Sequence, residues 1–218
     1  MTIALLTQAH GRANRCRMGA GVVSSIPKWS LRWESDLDLT DHSNLAEFFR
    51  RVYGPTGSAN ALPFEGVRSW AGARPELRAI AYDASGVAAH MGVLRRFIRV
   101  GEVDLLVAEL GLYGVRRDLE GLGIGHSVAA LTPTLHKLGV PFAFGTFRPE
   151  LKAHFQRFCR GGAGELLENM KIKSTLANVY PGYQPTRVED VLVVVLPIRA
   201  SIEEWPSSQM MNRNGPEL

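Results

Sequence analysis

A carboxylate, a histidine and a tyrosine lie on two neighbouring predicted strands, and these residue types can transfer protons. Glu109 interrupts the apolar strand Leu105 to Tyr113, where a charged group is costly unless it is paired or used. Strand alternation predicts that Glu109, Gly111 and Tyr113 share one face. Glu109 is the leading candidate for a general base. His90, with an ordinary pKa of about 6.5, suits proton transfer at neutral pH, and Tyr113 can protonate a leaving group. The structural alternatives are a salt-bridged Glu109, a hydrogen-bonded His90 and a packing Tyr113.

Three alternating glycines follow this strand and open a predicted helix. Gly121, Gly123 and Gly125 carry no Cβ, so the backbone can approach a ligand closely. The helix that begins near His126 adds unpaired N–H groups and the positive end of its dipole. The spacing matches neither a dinucleotide-binding loop nor a Walker A loop. The pattern favours a phosphate-binding loop, and a plain helix-opening turn is the alternative.

The composition is that of an ordinary globular protein with a basic segment at one end. Among 218 residues, 45% are hydrophobic, and no run of about 18 apolar residues predicts a membrane span. Residues 1–28 contain Arg12, Arg15, Arg17 and Lys28 but no acid, and without them the remaining basic residues equal the 21 acids. We therefore expect a disordered basic arm over residues 1–28 and no nucleic-acid partner.

The cysteines and histidines predict neither a disulfide framework nor a metal site. Cys16 and Cys159 are the two cysteines, and the six histidines show no ligand spacing. This usage fits a reducing cytoplasm, and we expect contact with a membrane to be peripheral at most.

The order of the predicted elements indicates an α+β fold with one mixed sheet. A first strand over Trp29 to Leu39 and a helix through Leu45 and Val52 precede a long loop over residues 54–75, which is rich in Gly, Pro and Ala. An antiparallel meander and then a βαβ unit follow. The remaining predicted elements are strands over Leu77 to Asp83, Val87 to Val100, Val103 to Val115, Pro141 to Phe147, Asn169 to Leu176 and Val188 to Ile198, and helices over His126 to Leu138 and around Phe155. We expect one domain over residues 29–198 and an irregular tail over residues 199–218.

Two resemblances agree with this order of elements. Glu120-Gly121-Leu122-Gly123-Ile124-Gly125 resembles the acyl-donor loop of GCN5-related N-acetyltransferases, except that Glu120 replaces the usual Arg or Gln. From about Trp29 onward the chain resembles the nodulation protein A family of rhizobia. The stretches that carry this resemblance are EFFRRVYGPTGSANALPFEGVRSWAGARPELRAIAYD, GVAAHMGVLRRFIRVGEVDLLVAELGLYGVRRDLEGLGI, GVPFAFGTFRPEL, TRVEDVLVVV and NRNGPEL.

The family resemblance implies an N-acyltransferase with a GCN5-related N-acetyltransferase-like fold. The implied reaction moves a fatty acyl chain from a phosphopantetheine thioester on acyl carrier protein to the free amine of the non-reducing glucosamine of a de-N-acetylated chitin oligosaccharide. No cofactor would be tightly bound, and acyl-CoA is the alternative donor. Because phosphopantetheine lacks the ADP portion of coenzyme A, Glu120 would be tolerated near the donor. A small-amine acetyltransferase using acetyl-CoA and a non-catalytic module that binds acyl carrier protein or lipid are the other hypotheses.

These implied substrates assign roles to further residues. If a bulge frees the N–H groups from Leu112 to Val115, these could bind the pantetheine amides and the oxyanion. Leu122 and Ile124 would flank the pantetheine arm, and Gly121, Gly123, Gly125 and His126 would hold its phosphate. For the sugar, stacking and planar polar groups favour Tyr53, Glu65, Trp70 and Arg74. A core-anchoring role for Trp70 is the alternative.

Overall fold

The computed structural model describes residues 27–54, 64–123, 131–162, 164–176 and 186–218. They form eight strands and three α-helices. The strands are β1 Lys28–Trp33, β2 Leu77–Asp83, β3 Gly86–Val100, β4 Val103–Val115, β5 Phe142–Phe147, β6 Glu165–Thr175, β7 Thr186–Pro197 and β8 Met210–Asn212. The helices are α1 Leu39–Tyr53, α2 Thr132–Lys137 and α3 Lys152–Arg160. No helix in these ranges is long and apolar enough to cross a membrane.

One mixed sheet contains all eight strands in the order β1-β2-β3-β4-β5-β7-β6-β8. The β4–β5 and β6–β8 pairs are parallel and the other pairs are antiparallel. β8 also pairs with the end of β3 through Arg99↔Asn212 and Val100↔Met211. The strands from β3 to β8 therefore close into a ring, and β1 and β2 extend the sheet beyond it.

The interior of this ring is apolar around Trp205. Ile98, Phe142, Phe144, Ile172 and Met211 are buried there against the indole of Trp205. Closure of the ring removes both sheet edges over this part of the molecule and buries side chains that an open sheet would expose.

Helix α1 packs on one face of the sheet, over β2, β3 and β4. Asp38 and Asp41 form a capping box that pairs the first free N–H groups of the helix. Its buried face, which includes Leu45, Phe48 and Phe49, packs on Ile80 and Leu112. The opposite face of the sheet packs against Leu135 of α2. Helix α1 thus lies over Leu112 and Gly114 of β4.

The predicted order of elements is confirmed, with local corrections, among them a start of β6 at Glu165 instead of Asn169. The first strand ends at Trp33, because a 3-10 helix over Glu34–Asp36 turns the chain into α1. β7 is buried only over residues 192–195, and Val188 remains 54% exposed. Lys28 belongs to β1, so the basic arm ends before it; residues 1–26 lie outside the described ranges.

The prediction of an irregular tail is wrong. Residues 210–212 form β8, and the side chains of Met211, Arg213 and Leu218 are buried. The tail is polar in composition. Nevertheless, Met211 packs in the interior of the ring, and Arg213 forms an ion pair with the buried Glu109. Composition alone does not show that a short segment will be inserted between two longer strands.

Candidate active site

A β-bulge in β4 shapes the centre of the candidate site. His90 pairs with Gly114 and Gly92 pairs with Gly111, so Leu112 and Tyr113 together lie opposite the single residue Met91. Leu112 has a φ of 50°, a left-handed conformation that is rare for a residue with a branched side chain. Such strain persists where the surroundings enforce it, and it is concentrated at functional sites.

The bulge also reverses the alternation of side chains along β4. Leu112 packs under α1, whereas Tyr113 packs with Leu106 and Leu110 on the opposite face. The predicted shared face of Glu109 and Tyr113 is therefore wrong, because the extra residue shifts the strand by one position. The bulge at Leu112, which the sequence analysis required for backbone binding, is present.

Strands β4 and β5 part just beside the bulge. Their pairing runs from Val107↔Phe142 to Leu110↔Gly145, while β4 continues to Val115 and β5 to Phe147. Beyond Leu110 the backbone of β4 thus pairs with no described strand on its β5 side, and we call this side the opening. An extended ligand can use such an edge as a strand would.

His90 lies beneath the bulge with both ring nitrogens engaged. Nδ1 is 2.8 Å from the Leu112 carbonyl oxygen, and Nε2 is 3.3 Å from Nη1 of Arg78. Burial and the positive charge of Arg78 hold the pKa of His90 well below its usual value. The neutral ring therefore donates from Nδ1 to Leu112 and accepts from Arg78 at Nε2. This arrangement fixes the carbonyl of the strained residue.

A buried polar network extends from His90 towards α1. Arg78 donates to Glu34 Oε2 at 2.5 Å and to Ser69 Oγ at 3.0 Å, and Ser69 Oγ lies 2.8 Å from Nδ1 of His42. Burial alone would raise the pKa of Glu34, but the hydrogen bonds and charges of Arg78 and Arg74 outweigh it and lower that pKa. Burial lowers the pKa of His42, and the charge of Arg78 adds to this while Glu34 opposes it. The network ties β2 and the loop after α1 to the bulge.

Glu109 forms two buried ion pairs. Its Oε2 accepts from Arg96 Nη1 at 2.7 Å and its Oε1 accepts from Arg213 Nε at 2.8 Å, and the side chain is 2% exposed. Arg213 also donates to Ser174 Oγ at 2.7 Å and to Thr146 Oγ1 at 2.6 Å. These ion pairs support the structural, salt-bridged alternative for Glu109. Its role as a general base stays a prediction.

Residues 213–218 contact β3, β4, β5 and the loop after α1, and we call them the strap. The carbonyl of Pro216 accepts from Arg96 at 2.7 Å, and that of Glu217 accepts from the Ala73 N–H at 2.6 Å. Leu218 lies over Gly111, where a Cβ would be 2.9 Å from the Leu218 carbonyl oxygen. The strap therefore joins the loop after α1 to strand β4.

The predicted sugar-binding residues lie in two places, at the bulge of β4 and on the loop after α1. The Tyr53 hydroxyl donates to the Tyr113 carbonyl at 2.6 Å, so Tyr53 reaches the bulge. Burial raises the pKa of Tyr53; the charge of Glu217 adds to this and that of Arg148 opposes it. Burial also raises the pKa of Tyr113.

The other predicted sugar-binding residues lie on the loop after α1. Arg74 lies 4.9 Å from the centre of the half-buried Trp70 ring, Arg68 lies 5.7 Å from it, and His42 approaches it edge-on. Glu65 is exposed in a turn.

The glycine loop begins at a fixed point and is exposed where it is described. Arg116 pairs with Asp83 and Asp118 directly after β4, and a 3-10 helix over Arg117–Leu119 leads into the loop. Gly121 and Gly123 have φ values of 77° and 79°, and a Cβ at either would meet nothing within 4 Å. Leu122 is 68% exposed. Among the described residues nothing fills the space above these two glycines, which suits a ligand cradle; Ile124, Gly125 and His126 lie outside the described residues.

Sequence reasoning missed most of the charged partners around the bulge. Arg78 interrupts an apolar strand as Glu109 does, and the same argument about buried charge would have singled it out. Arg213 and Glu217 belong to the NRNGPEL stretch, which carried the resemblance but received no role. Among the described residues no group of three or more His, Cys, Asp or Glu side chains could hold a metal ion.

Comparison with solved structures defines the class of the fold. An Escherichia coli GNAT family N-acetyltransferase (YhbS) in complex with CoA aligns over 88% of this chain and 93% of its own, with a TM-score of 0.54 and 17% identity. Escherichia coli ElaA aligns over 78% of this chain and 99% of its own, with a TM-score of 0.51 and 12% identity. The bulged β4 and the opening beside β5 thus belong to a fold of the GCN5-related N-acetyltransferase type.

Sequence comparison identifies the family within this class. A profile described as Nodulation protein A (NodA) matches residues 24–218. The chain belongs to the nodulation protein A family and is an acyltransferase.

Individual members of the family align with this chain over most of their length. Nodulation protein A of Azorhizobium caulinodans is 60% identical over 93% of this chain and 89% of its own. That of Bradyrhizobium elkanii is 62% identical over 88% of this chain and 91% of its own. That of Rhizobium sp. (strain N33) is 59% identical over 90% of this chain and 100% of its own.

Proposed function

We propose that the protein transfers a fatty acyl chain from the phosphopantetheine thioester of acyl carrier protein to the free amine of the non-reducing glucosamine of a de-N-acetylated chitin oligosaccharide. The observation that carries this proposal is the opening between β4 and β5 beside the bulge at Leu112. A pantetheine arm is an extended chain with two amides, and the edge of β4 offers it backbone partners.

In the proposed complex, the reacting carbonyl of the donor lies near Leu112 and Tyr113 of the bulge. In the reaction, the amine nitrogen attacks the thioester carbon, a C–N bond forms, and the C–S bond breaks. One proton leaves the nitrogen and one reaches the departing thiolate. Backbone N–H groups at the bulge stabilise the oxyanion of the intermediate, and His90 holds the Leu112 carbonyl so that the neighbouring peptide is oriented before the donor binds.

The glycine loop supports a donor with a single phosphodiester. Gly121 and Gly123 are open to a phosphate, but the neighbouring Glu120 is exposed and adds a negative charge beside it. Acyl-CoA would bring the further phosphates of its ADP portion to this charge, whereas phosphopantetheine would not. The structural relative YhbS is a complex with CoA, so acyl-CoA is the donor against which acyl carrier protein must be tested.

Turnover with the same acyl chain on the two donors tests this choice. We expect a higher kcat/KM with acyl carrier protein, and we expect Glu120→Arg to raise kcat/KM for acyl-CoA several-fold because it replaces repulsion by attraction at the phosphates. Arg117→Gln, on the same exposed turn, is a matched control for a change of surface charge. An equal or better rate of the parent protein with acyl-CoA contradicts the donor assignment.

A further inference from the structure

Glu217 is a partly exposed carboxylate at the point where β4 and β5 part. Its Oε1 accepts from Thr146 Oγ1 at 3.2 Å and from Arg213 Nη2 at 3.3 Å, and its Oε2 accepts from Arg187 Nη2 at 3.3 Å. Thr146 directly follows Gly145, the last residue of β5 that pairs with β4. The carboxylate is therefore held at the mouth of the opening.

The Glu217 carboxylate keeps capacity for another donor. A carboxylate offers about four acceptor positions, and charge-assisted hydrogen bonds at full strength are about 2.7–2.9 Å long. The three contacts of Glu217 are longer than this, and its side chain is 32% exposed. Glu109 differs in both respects, with ion pairs at 2.7 and 2.8 Å and 2% exposure. Of the two carboxylates, Glu217 is the one that an incoming cation can reach.

The surroundings of Glu217 connect the donor side and the acceptor side of the site. Its charge acts on Tyr53, whose hydroxyl donates to the carbonyl of Tyr113 in the bulge. Its own carbonyl accepts from Ala73, on the loop that carries Trp70 and Arg74. An amine beside Glu217 would thus lie between the bulge and the loop after α1.

We propose that the Glu217 carboxylate binds the amino group of the acceptor sugar and directs its nitrogen towards the thioester carbonyl. This inference rests on the proposed N-acyl transfer and assigns a specificity residue to it. A primary amine brings two N–H donors, and its protonated form brings three and a positive charge; the protonated form must lose one proton before its nitrogen can attack. An N-acetylated sugar brings one uncharged N–H and a bulky acetyl group. Glu217 therefore selects the free amine over the N-acetylated sugar.

Equilibrium binding of two chitin tetramers to the full chain tests the proposal. One tetramer carries a free amine on its non-reducing sugar and the other is fully N-acetylated. We expect the unsubstituted protein to prefer the free amine about tenfold or more, since hydrogen bonds to charged groups contribute about 1.5–3 kcal/mol. In Glu217→Gln this preference should fall to about twofold or less, and Glu217→Asp should recover part of it.

A matched control separates recognition from the loss of a surface ion pair. Glu189 pairs with Arg187 at 2.7 Å, so Glu189→Gln removes the other carboxylate bound to that arginine. We expect Glu189→Gln to keep the full preference for the amine. If Glu217→Gln does not fold, as judged by circular dichroism, Glu217→Asp decides the matter, because the shorter side chain moves the carboxylate away from the amine and should weaken the preference.

The outcomes distinguish this inference from the proposed function. An unchanged preference in the Glu217 variants overturns the role of Glu217. Equal binding of both tetramers by the unsubstituted protein, together with acyl transfer to the amine, also overturns it and leaves the proposed function intact. Absence of binding and of transfer for either tetramer overturns the proposed function, and the inference with it.

Discussion

The charge on Glu109 is balanced by two arginines inside the molecule. Burying a carboxylate is costly, and Arg96 and Arg213 offset this cost at 2.7 and 2.8 Å. Because Arg213 belongs to the strap, this single carboxylate also attaches the end of the chain to β4. A structural role for Glu109 and a role as general base make different predictions about stability.

The substitution Glu109→Gln separates these two roles. If Glu109 is structural, this substitution should lower the free energy of unfolding by about 3 kcal/mol or more, since it removes the buried carboxylate that pairs with both Arg96 and Arg213. Glu76→Gln removes the exposed pair with Arg95 and should cost about 1 kcal/mol or less. Urea unfolding measures both values. A Glu109→Gln protein that is as stable as its parent but inactive supports the general base instead.

The low pKa of His90 makes stability depend on pH. In the folded protein His90 stays neutral, whereas in the unfolded chain it binds a proton below about pH 6.5. The unfolded state therefore gains protons first, and stability falls on acidification from about pH 6.5 towards the folded pKa, by up to about 1.4 kcal/mol per pH unit for each such histidine. His42, with its lowered pKa, acts in the same direction.

Replacement of His90 by asparagine tests this dependence. Urea unfolding is measured at pH 7.5, 6.5 and 5.5. The free energy of unfolding should fall less steeply with decreasing pH in His90→Asn than in the parent, and the part of the fall that is due to His42 should remain. His136→Asn removes a histidine near the end of α2 and is the control for one histidine fewer. Equal slopes in the parent and in His90→Asn would show that His90 is protonated in the folded state.

At the scale of elements, the bulge in β4 is held by α1 and by the strap. Beneath it, α1 supplies Phe49, which lies edge-on to the His90 ring at 4.9 Å between ring centres. Beside it, the strap places Leu218 against Gly111. The strained conformation of Leu112 is thus enforced by packing as well as by the hydrogen bond from His90.

Gly111→Ala should disturb the contact between β4 and the strap. A Cβ at this position would lie 2.9 Å from the carbonyl oxygen and 3.1 Å from the Cβ of Leu218. We expect a loss of about 1–3 kcal/mol in thermal or urea unfolding, as for other overpacked positions. Gly54→Ala, where a Cβ meets nothing within 4 Å, should change stability by about 1 kcal/mol or less. Equal stability of the two variants would contradict the contact.

Regular elements were predictable because their side-chain patterns are local. Leu77–Asp83 and Val103–Val115 have the predicted bounds, since alternation and short turns determine them. The bulge was not predictable in detail, because one extra residue changes no composition yet reverses which face Tyr113 occupies. The partners of Glu109 also escaped prediction: Arg213 is 104 positions away along the chain.

At the scale of the whole molecule, β8 closes the ring of strands. Three residues join β3 to β6, and the side chain of Met211 is completely buried in the interior of the ring. We therefore expect residues 210–218 to contribute to the stability of the site. The tail was expected to be irregular, but it contains a strand because β8 pairs with both β3 and β6, which are far apart in the sequence.

The two neighbouring methionines of β8 provide a matched test of this closure. Met211→Ala should cost about 2–5 kcal/mol because its side chain is fully buried, whereas Met210→Ala, 45% exposed, should cost about 1 kcal/mol or less. Denaturant unfolding of both variants measures the difference. Similar small losses in both would mean that the ring is not closed by β8 in solution.

The proposed acyl transfer is tested most directly by mass spectrometry of the acceptor. A chitin tetramer with a free amine on its non-reducing sugar is incubated with the protein and fatty acyl carrier protein, beside the fully N-acetylated tetramer. The proposed function predicts one added acyl group per tetramer, joined as an amide to the non-reducing sugar, and no addition to the N-acetylated tetramer. Release of free fatty acid without addition to either tetramer would contradict it.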